Sequence, residues 1–327
     1  MDRDRNRRGQ VLVLTVSALL VVLAVSVFAI DVGYMFHIEA RAQNASDAAV
    51  LAAVQVLVHE RNAGEDEDDA RTAASNEAEA IALGNCPQAA VDIQFGRFKK
   101  DSSFEEFDDD DEDDDATAVR AVVARNSEAP GGPLDLFFGP VLGMHTAEVS
   151  AQATSAIDKN ISGVRANLAP FAVYEGSLCA PGGTMTIYDH ETRAPGAFGL
   201  LNFDGGSFGT PEAKGWIEDG YDKEFKLKDT GYRWVNGGTG FRAALKNSID
   251  GRLGQKMTVC VYDDIQGGGH GTEFRVMSFA RVTLIDSRLT GNNKYVTARL
   301  EKLTNLHELI TGNAGDAPNL CKLRLRH

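Results

Sequence analysis

The run VLVLTVSALLVVLAVSVFAI, from Val11 to Ile30, constrains this chain more than any other feature. Its only polar side chains are Thr15, Ser17 and Ser26, whose hydroxyls can bond back to helix carbonyls. Twenty helical residues span about 30 Å, the hydrocarbon thickness of a bilayer. A secretory signal has a shorter apolar core, about 7–15 residues. Val27-Phe28-Ala29 offers a cleavage-compatible end, but the chain from Asp31 to Val58 continues in helical character without proline, interrupted only by Gly33. Arg3, Arg5, Arg7 and Arg8 precede the run, and clustered arginines stay on the cytoplasmic side. The expectation is a single-pass anchor with the body of the chain on the far side of the membrane.

Beyond the span, Met35, Ile38, Ala42, Ala45, Ala49, Ala52 and Val56 recur at alternating spacings of three and four. That is the period of a packing seam, and its mostly small side chains permit close backbone approach. Two partners fit such a seam: the protein's own domain, or another subunit.

The net charge of -14 is unevenly distributed. Residues 65–69 are all acidic, and ten of the eleven residues 105–115 are; without these two blocks the chain is nearly neutral. Such blocks repel themselves and stay solvated. No basic stripe exists beyond the amino-terminal cluster, which argues against a nucleic-acid partner. Cys86, Cys179, Cys260 and Cys321 lie far apart and form no CxxC, so neither a zinc knuckle nor a thioredoxin motif is supported. Two disulfides, in any of three connectivities, or free buried thiols are both compatible with them.

Residues 64–85 read as a second helix with its acids at the amino-terminal end, where the macrodipole favours them, and with Gly84 placed to end it. AAVDIQFGRFK and ATAVRAVVARN read as hairpin strands on either side of an acidic loop, residues 105–115. That loop lacks the spaced ligands and glycine of an EF-hand. PLDLFFGPVLG reads as a connecting helix or turn, and HTAEVSAQATSAI alternates as a half-buried strand, Ala147, Val149, Ala151 and Ala153 facing one way. Residues 158–170 are the expected linker. Beyond them, short strands separated by glycine turns predict a mainly β domain, with short helices near residues 211–217 and 241–249.

Two motifs suggest chemistry, and their contexts oppose it. Gly205-Gly206-Ser207-Phe208-Gly209 fits the GxSxG nucleophile elbow, but Gly209, Pro211 and Gly215 break any helix beginning at Ser207. Gly238-Thr239-Gly240-Phe241-Arg242-Ala243 fits GxGxxA, with Asp263 some way downstream, but that pattern requires repeated βαβ units. GGGHG around His270 reads as a hairpin tip, and Asp189-His190-Glu191 lacks the HExxH spacing. No catalytic residue, cofactor or metal site is expected.

RRGQ, the apolar span, Asp31-Val32-Gly33 and the helix from Ala42 to Ala53 together resemble the amino-terminal signature of TadE/TadG-like proteins of the tight-adherence (Flp-type pilus) apparatus. Residues 196–221 and RVMSFARVTLID resemble the family's long members more loosely. The resemblance implies a non-enzymatic, pseudopilin-like component of pilus assembly, held in the inner membrane with its amino terminus cytoplasmic and its bulk periplasmic. Its implied partners are other pseudopilins or the inner-membrane assembly platform. Its implied fold class is α+β: a transmembrane helix continuing into a long pilin-like helix on a small antiparallel sheet, then a β-rich domain. The corresponding segments are 1–9 (basic, cytoplasmic), 10–31 (transmembrane), 32–157 (pseudopilin-like), 158–170 (linker) and 171–327 (β-rich). Prepilin peptidases cut after a glycine, which makes Gly9 and Gln10 the candidate processing site. Peptidase-cut pilins carry glutamate five residues on, where this chain has Leu14, so most molecules are expected to keep their amino terminus. The DxSxS motif of larger relatives is absent, and no metal site carries over. The rival readings are a periplasmic hydrolase using Ser207 and a free-standing envelope protein sharing only the stem.

Overall fold

The computed structural model describes residues 3–99, 103–107, 115–189, 200–205, 209–238, 243–267, 271–291 and 294–326. They divide into two compact units, one running to Ala156 and the other Ile157–Arg324. The fold is α+β, as the patterning predicts.

The first unit is built on α1 (Arg3–Ala63), one unbroken helix of 61 residues. Within the span, the hydroxyls of Thr15, Ser17 and Ser26 donate to the carbonyls of Val11, Val13 and Val22 at 2.9, 2.9 and 2.8 Å, so no polar group there is left bare. After a short turn, α2 (Glu67–Asn85) packs on α1. Asp66 caps it by accepting the Asp69 N–H, and Glu67, Asp68 and Asp69 occupy its first turn. Gly84 lies inside the last turn rather than ending the helix. The stop comes at Cys86, where the following Pro87 disfavours helical backbone.

The sheet of this unit is antiparallel: β1 (Ala90–Phe98) lies between β2 (Phe104–Glu106) and β3 (Ala118–Arg125), and β3 pairs on its other side with β6 (Val149–Asp158). Between them, β4 (Leu134–Asp135) and β5 (Thr146–Ala147) form a separate hairpin. The expected alternation holds along β6 as far as Ala153; from Thr154 to Ile157 both faces are buried. The acidic stretch is not loop from its start. Glu105 and Glu106 belong to β2, where Glu105 pairs with Arg97 and Lys99 at 2.9 and 3.0 Å. Residues 108–114 lie outside the described residues.

In the second unit the expected linker is folded. Residues 158–170 contain β7 (Asn160–Val164) and the start of β8 (Leu168–Tyr174), with Ile161, Val164 and Leu168 fully buried. Pro170, which suggested a break, falls in an irregularity of the β8 pairing, a position where a missing N–H is tolerated. The chain continues through β9 (Thr184–Asp189), β10 (Leu200–Leu201), α3 (Thr210–Glu218), β11 (Phe225–Lys226) and β12 (Arg233–Gly238). It then forms α4 (Lys246–Asp250), β13 (Lys256–Gln266), β14 (Glu273–Arg288) and β15 (Tyr295–Leu300). Short β16 (Thr304–Asn305), β17 (Leu309–Asp316) and β18 (Leu320–Arg326) complete it.

The main sheet runs β12-β10-β8-β13-β14-β15-β9, and β12 also pairs with the first part of β14, closing five strands into a ring. Where β12 meets β14, a side chain on Gly237 would collide with the Phe274 ring, so glycine is a packing requirement there. Beside the main sheet, β7 pairs with β11 and β17, and β16 runs parallel to β18. Two apolar clusters line the main sheet, one with Phe171, Val259 and Val282, the other with Phe225, Phe274 and Phe279. Asn319, fully buried, holds the strand ends together: its amide donates to the carbonyls of Arg281 and Glu301 at 2.6 and 2.8 Å, and its oxygen accepts the Arg281 N–H at 2.8 Å.

Candidate functional site

The catalytic motifs find no supporting frame. β12, which carries the start of the glycine pattern, is antiparallel to both of its neighbours, and α4 is five residues long, so the described residues on either side of this motif form no βαβ unit. Ser207 lies outside the described residues, as do His190 and His270. After β10 the next helix among the described residues, α3, starts at Thr210 with Gly209 as its cap. All four cysteines are free thiols. Burial pushes the Cys260 thiol far up and that of Cys321 to about 11, so both remain protonated and unreactive near neutral pH.

Attention therefore falls on α1. The seven seam residues divide by burial. Ile38, Ala42, Ala45 and Ala49 are buried within the first unit, Ile38 in a cluster with Leu134 and Val149; α1 as a whole packs on α2 and β3. The opposing face of α2 is equally small, with Ala70, Ala74, Ala78 and Ala82 fully buried at every fourth position. Met35, Ala52 and Val56 are only partly covered and sit at the rim of that buried arc. The buried arc continues through Val50, Ala53, Val54 and Leu57, which a strict three-four spacing does not select. Gly9 and Gln10 lie within α1, and Leu14 is 71% exposed on the span.

Two polar contacts that the residue pattern did not single out fix this helix in place. Asp31, immediately after the apolar span, is 7% exposed. Its carboxylate accepts the backbone N–H of Phe137 at 2.9 Å and that of Phe138 at 3.0 Å, and Tyr34 one turn on meets the Phe137 ring edge-on at 5.4 Å. At the far end, Arg61 grips Glu67 with two hydrogen bonds, 2.7 and 2.5 Å, and donates to the Ala116 carbonyl at 2.9 Å. Glu67 in turn accepts from Arg71 and from the Ala116 N–H at 3.2 and 3.0 Å. Burial alone would raise the Glu67 pKa, but the Arg61 and Ala116 hydrogen bonds and the neighbouring guanidiniums outweigh it and hold the carboxyl below its ordinary 4.5. The acidic stretch is thus pinned on both flanks. Ala116 is held by this pair, and Phe107 lies under the guanidiniums of Arg71 and Arg97 at 5.1 and 5.5 Å.

Among the described residues one helix, α1, is long and apolar enough to cross a membrane; its apolar run begins at Val11 and is wholly exposed over its most apolar stretch. A single apolar helix of membrane-spanning length that runs without a break into a helix-on-sheet unit, with a β-rich unit later in the chain, is the arrangement of a single-pass anchored protein. Residues 9–56 match the model of the family described as Flp pilus-assembly TadE/G-like (Tad), which covers the span, Asp31 and the seam together. No curated protein and no solved structure matches the chain.

Proposed function

We propose that this protein is a membrane-anchored, pseudopilin-like component of a tight-adherence (Flp) pilus assembly system, acting by interaction rather than catalysis. The observation that carries the reading is the match of residues 9–56 to a Flp pilus-assembly family on a helix that leaves the membrane without a break. In this reading the buried alanines make the stem rigid, and the rim residues Met35, Ala52 and Val56 face the neighbouring pilus component. The arginines before the span place the amino terminus in the cytoplasm and both folded units in the periplasm.

The orientation is tested by fusing a reporter active only in the periplasm after Ile157. The fusion is expected to be active and membrane-bound; an inactive fusion, or a soluble one, would remove the anchored reading. The assembly role is tested by co-purification of partners from solubilised membranes. Ser207→Ala is expected to leave that recovery unchanged, since no catalytic role is assigned to the serine.

A further inference from the structure

The segment LFFGPVLGM, residues 136–144, contains no charged or polar side chain, although it is the tip of a loop. Loops in water are ordinarily polar, and a contiguous exposed apolar patch marks an interaction surface. Here Phe137 is 67% exposed, Val141 81% and Met144 52%. The tip is not loosely held. The Leu136 N–H donates to the His145 carbonyl and the Met144 N–H to the Gly139 carbonyl, both at 3.0 Å, and Gly143 closes the turn with a φ of 82°.

The direction of this hairpin identifies what it meets. Leu134, at its base, is buried in a cluster with Ile38, Val149 and Tyr34. Three residues further, the N–H groups of Phe137 and Phe138 are held by Asp31, seven positions earlier on α1. Seven helical positions correspond to about 10 Å along the axis, and three extended residues advance about 10 Å. The hairpin therefore runs alongside α1 towards the span, and the residues after Phe138 lie at or beyond the level of Asp31. Asp31 is the first residue after the apolar run.

We infer that the hairpin of β4 and β5 is a second membrane attachment: its tip, with Phe137, Val141 and Met144, dips into the headgroup–acyl boundary of the leaflet from which α1 emerges. Aromatic and apolar side chains at that depth gain burial while the flanking Asp135 and His145 stay in water. The inference rests on α1 spanning the membrane and is independent of the pilus role. Asp31 is then a positioning residue. Its buried carboxylate fixes the tip to the helix, and two attachments fix the rotation of α1 where one span alone does not.

The test uses the full chain in phosphatidylethanolamine–phosphatidylglycerol vesicles. In a Cys179→Ser background the remaining thiols are buried, Cys86 at 4%, Cys260 and Cys321 at 0% exposure, so a single introduced cysteine can carry an environment-sensitive fluorophore. Labels at Val141→Cys, at Val21→Cys within the span and at Thr72→Cys on the open face of α2 are compared. A nitroxide on the lipid acyl chain, placed near the headgroup for the label at 141 and near the chain end for the label at 21, is expected to remove most emission from each, and aqueous iodide to quench only the label at 72. If iodide reaches the label at 141 as readily as that at 72, the inference is wrong. If that label is shielded from both quenchers, protein covers the tip, a second copy for example, and the lipid assignment is wrong. If the label at 21 also escapes the lipid quencher, the anchoring itself has failed, and the inference fails with it.

Discussion

Replacing Glu67 with alanine is expected to destabilise the first unit by about 2–4 kcal/mol, because it strands Arg61 and the Ala116 N–H in a mostly buried site. The two side chains are only 15% and 12% exposed, so solvent screens the pair little. Hydrogen exchange on the intact chain in nanodiscs reads this out: amides of β1 and β3 should exchange faster, while those of β13 and β14 in the second unit should be unchanged. The pair also predicts a pH dependence. The folded-state pKa of Glu67 is depressed, so its stabilisation is fully present above the ordinary value of 4.5 and is lost as pH falls through the folded-state value. Unchanged exchange in β1 and β3, or no difference between wild type and Glu67→Ala near neutral pH, would show that the clamp does not hold the unit together.

The second large effect is expected at Ala49. It is completely buried on α1, which packs on α2 and on β3, so a leucine there has no open space to occupy. Ala49→Leu should cost about 1–3 kcal/mol, the ordinary cost of forcing extra methylenes into a filled core. Ala52→Leu is the contrast: at the half-covered rim it should leave the stability of the unit nearly unchanged and weaken partner recovery instead. The reverse pattern, Ala49→Leu harmless and Ala52→Leu destabilising, would mean that the buried arc is placed wrongly.

Much of the first unit is legible in its residues. A span of bilayer length, a helix without proline beyond it, an acid-led second helix and alternating strands are local patterns, and these elements form close to where their patterns lie, although β2 takes the first acids of the expected loop. The seam illustrates the limit of such reading. A spacing of three and four finds the small face of α1 but cannot say what covers it; the answer lies in α2, whose alanines recur at every fourth position. Residues 158–170 were open to misreading because Asn, Gly and Pro suggest a linker, whereas Ile161, Val164 and Leu168 are core residues whose partners lie as far away as Leu309 and Leu320. The ring of five strands depends on β12 returning to β14, a pairing no local pattern encodes. Asp31 and the tip of the β4–β5 hairpin are more than a hundred residues apart, so neither alone signals the other. The available clue was a carboxylate placed directly after an apolar span in a chain that also carries an uncharged loop, LFFGPVLGM.

The central claim is that the stem works among pilus-assembly proteins, and the most direct measurement is recovery of partners with the intact chain. Membranes solubilised in mild detergent, affinity capture of the full-length protein and mass spectrometry of what accompanies it are expected to return other pseudopilins or the inner-membrane assembly platform. The same components should be depleted for Ala52→Leu and retained for Ser207→Ala. Capture of the intact protein with none of these components, under conditions in which the assembly platform still retains its other partners, would contradict the account.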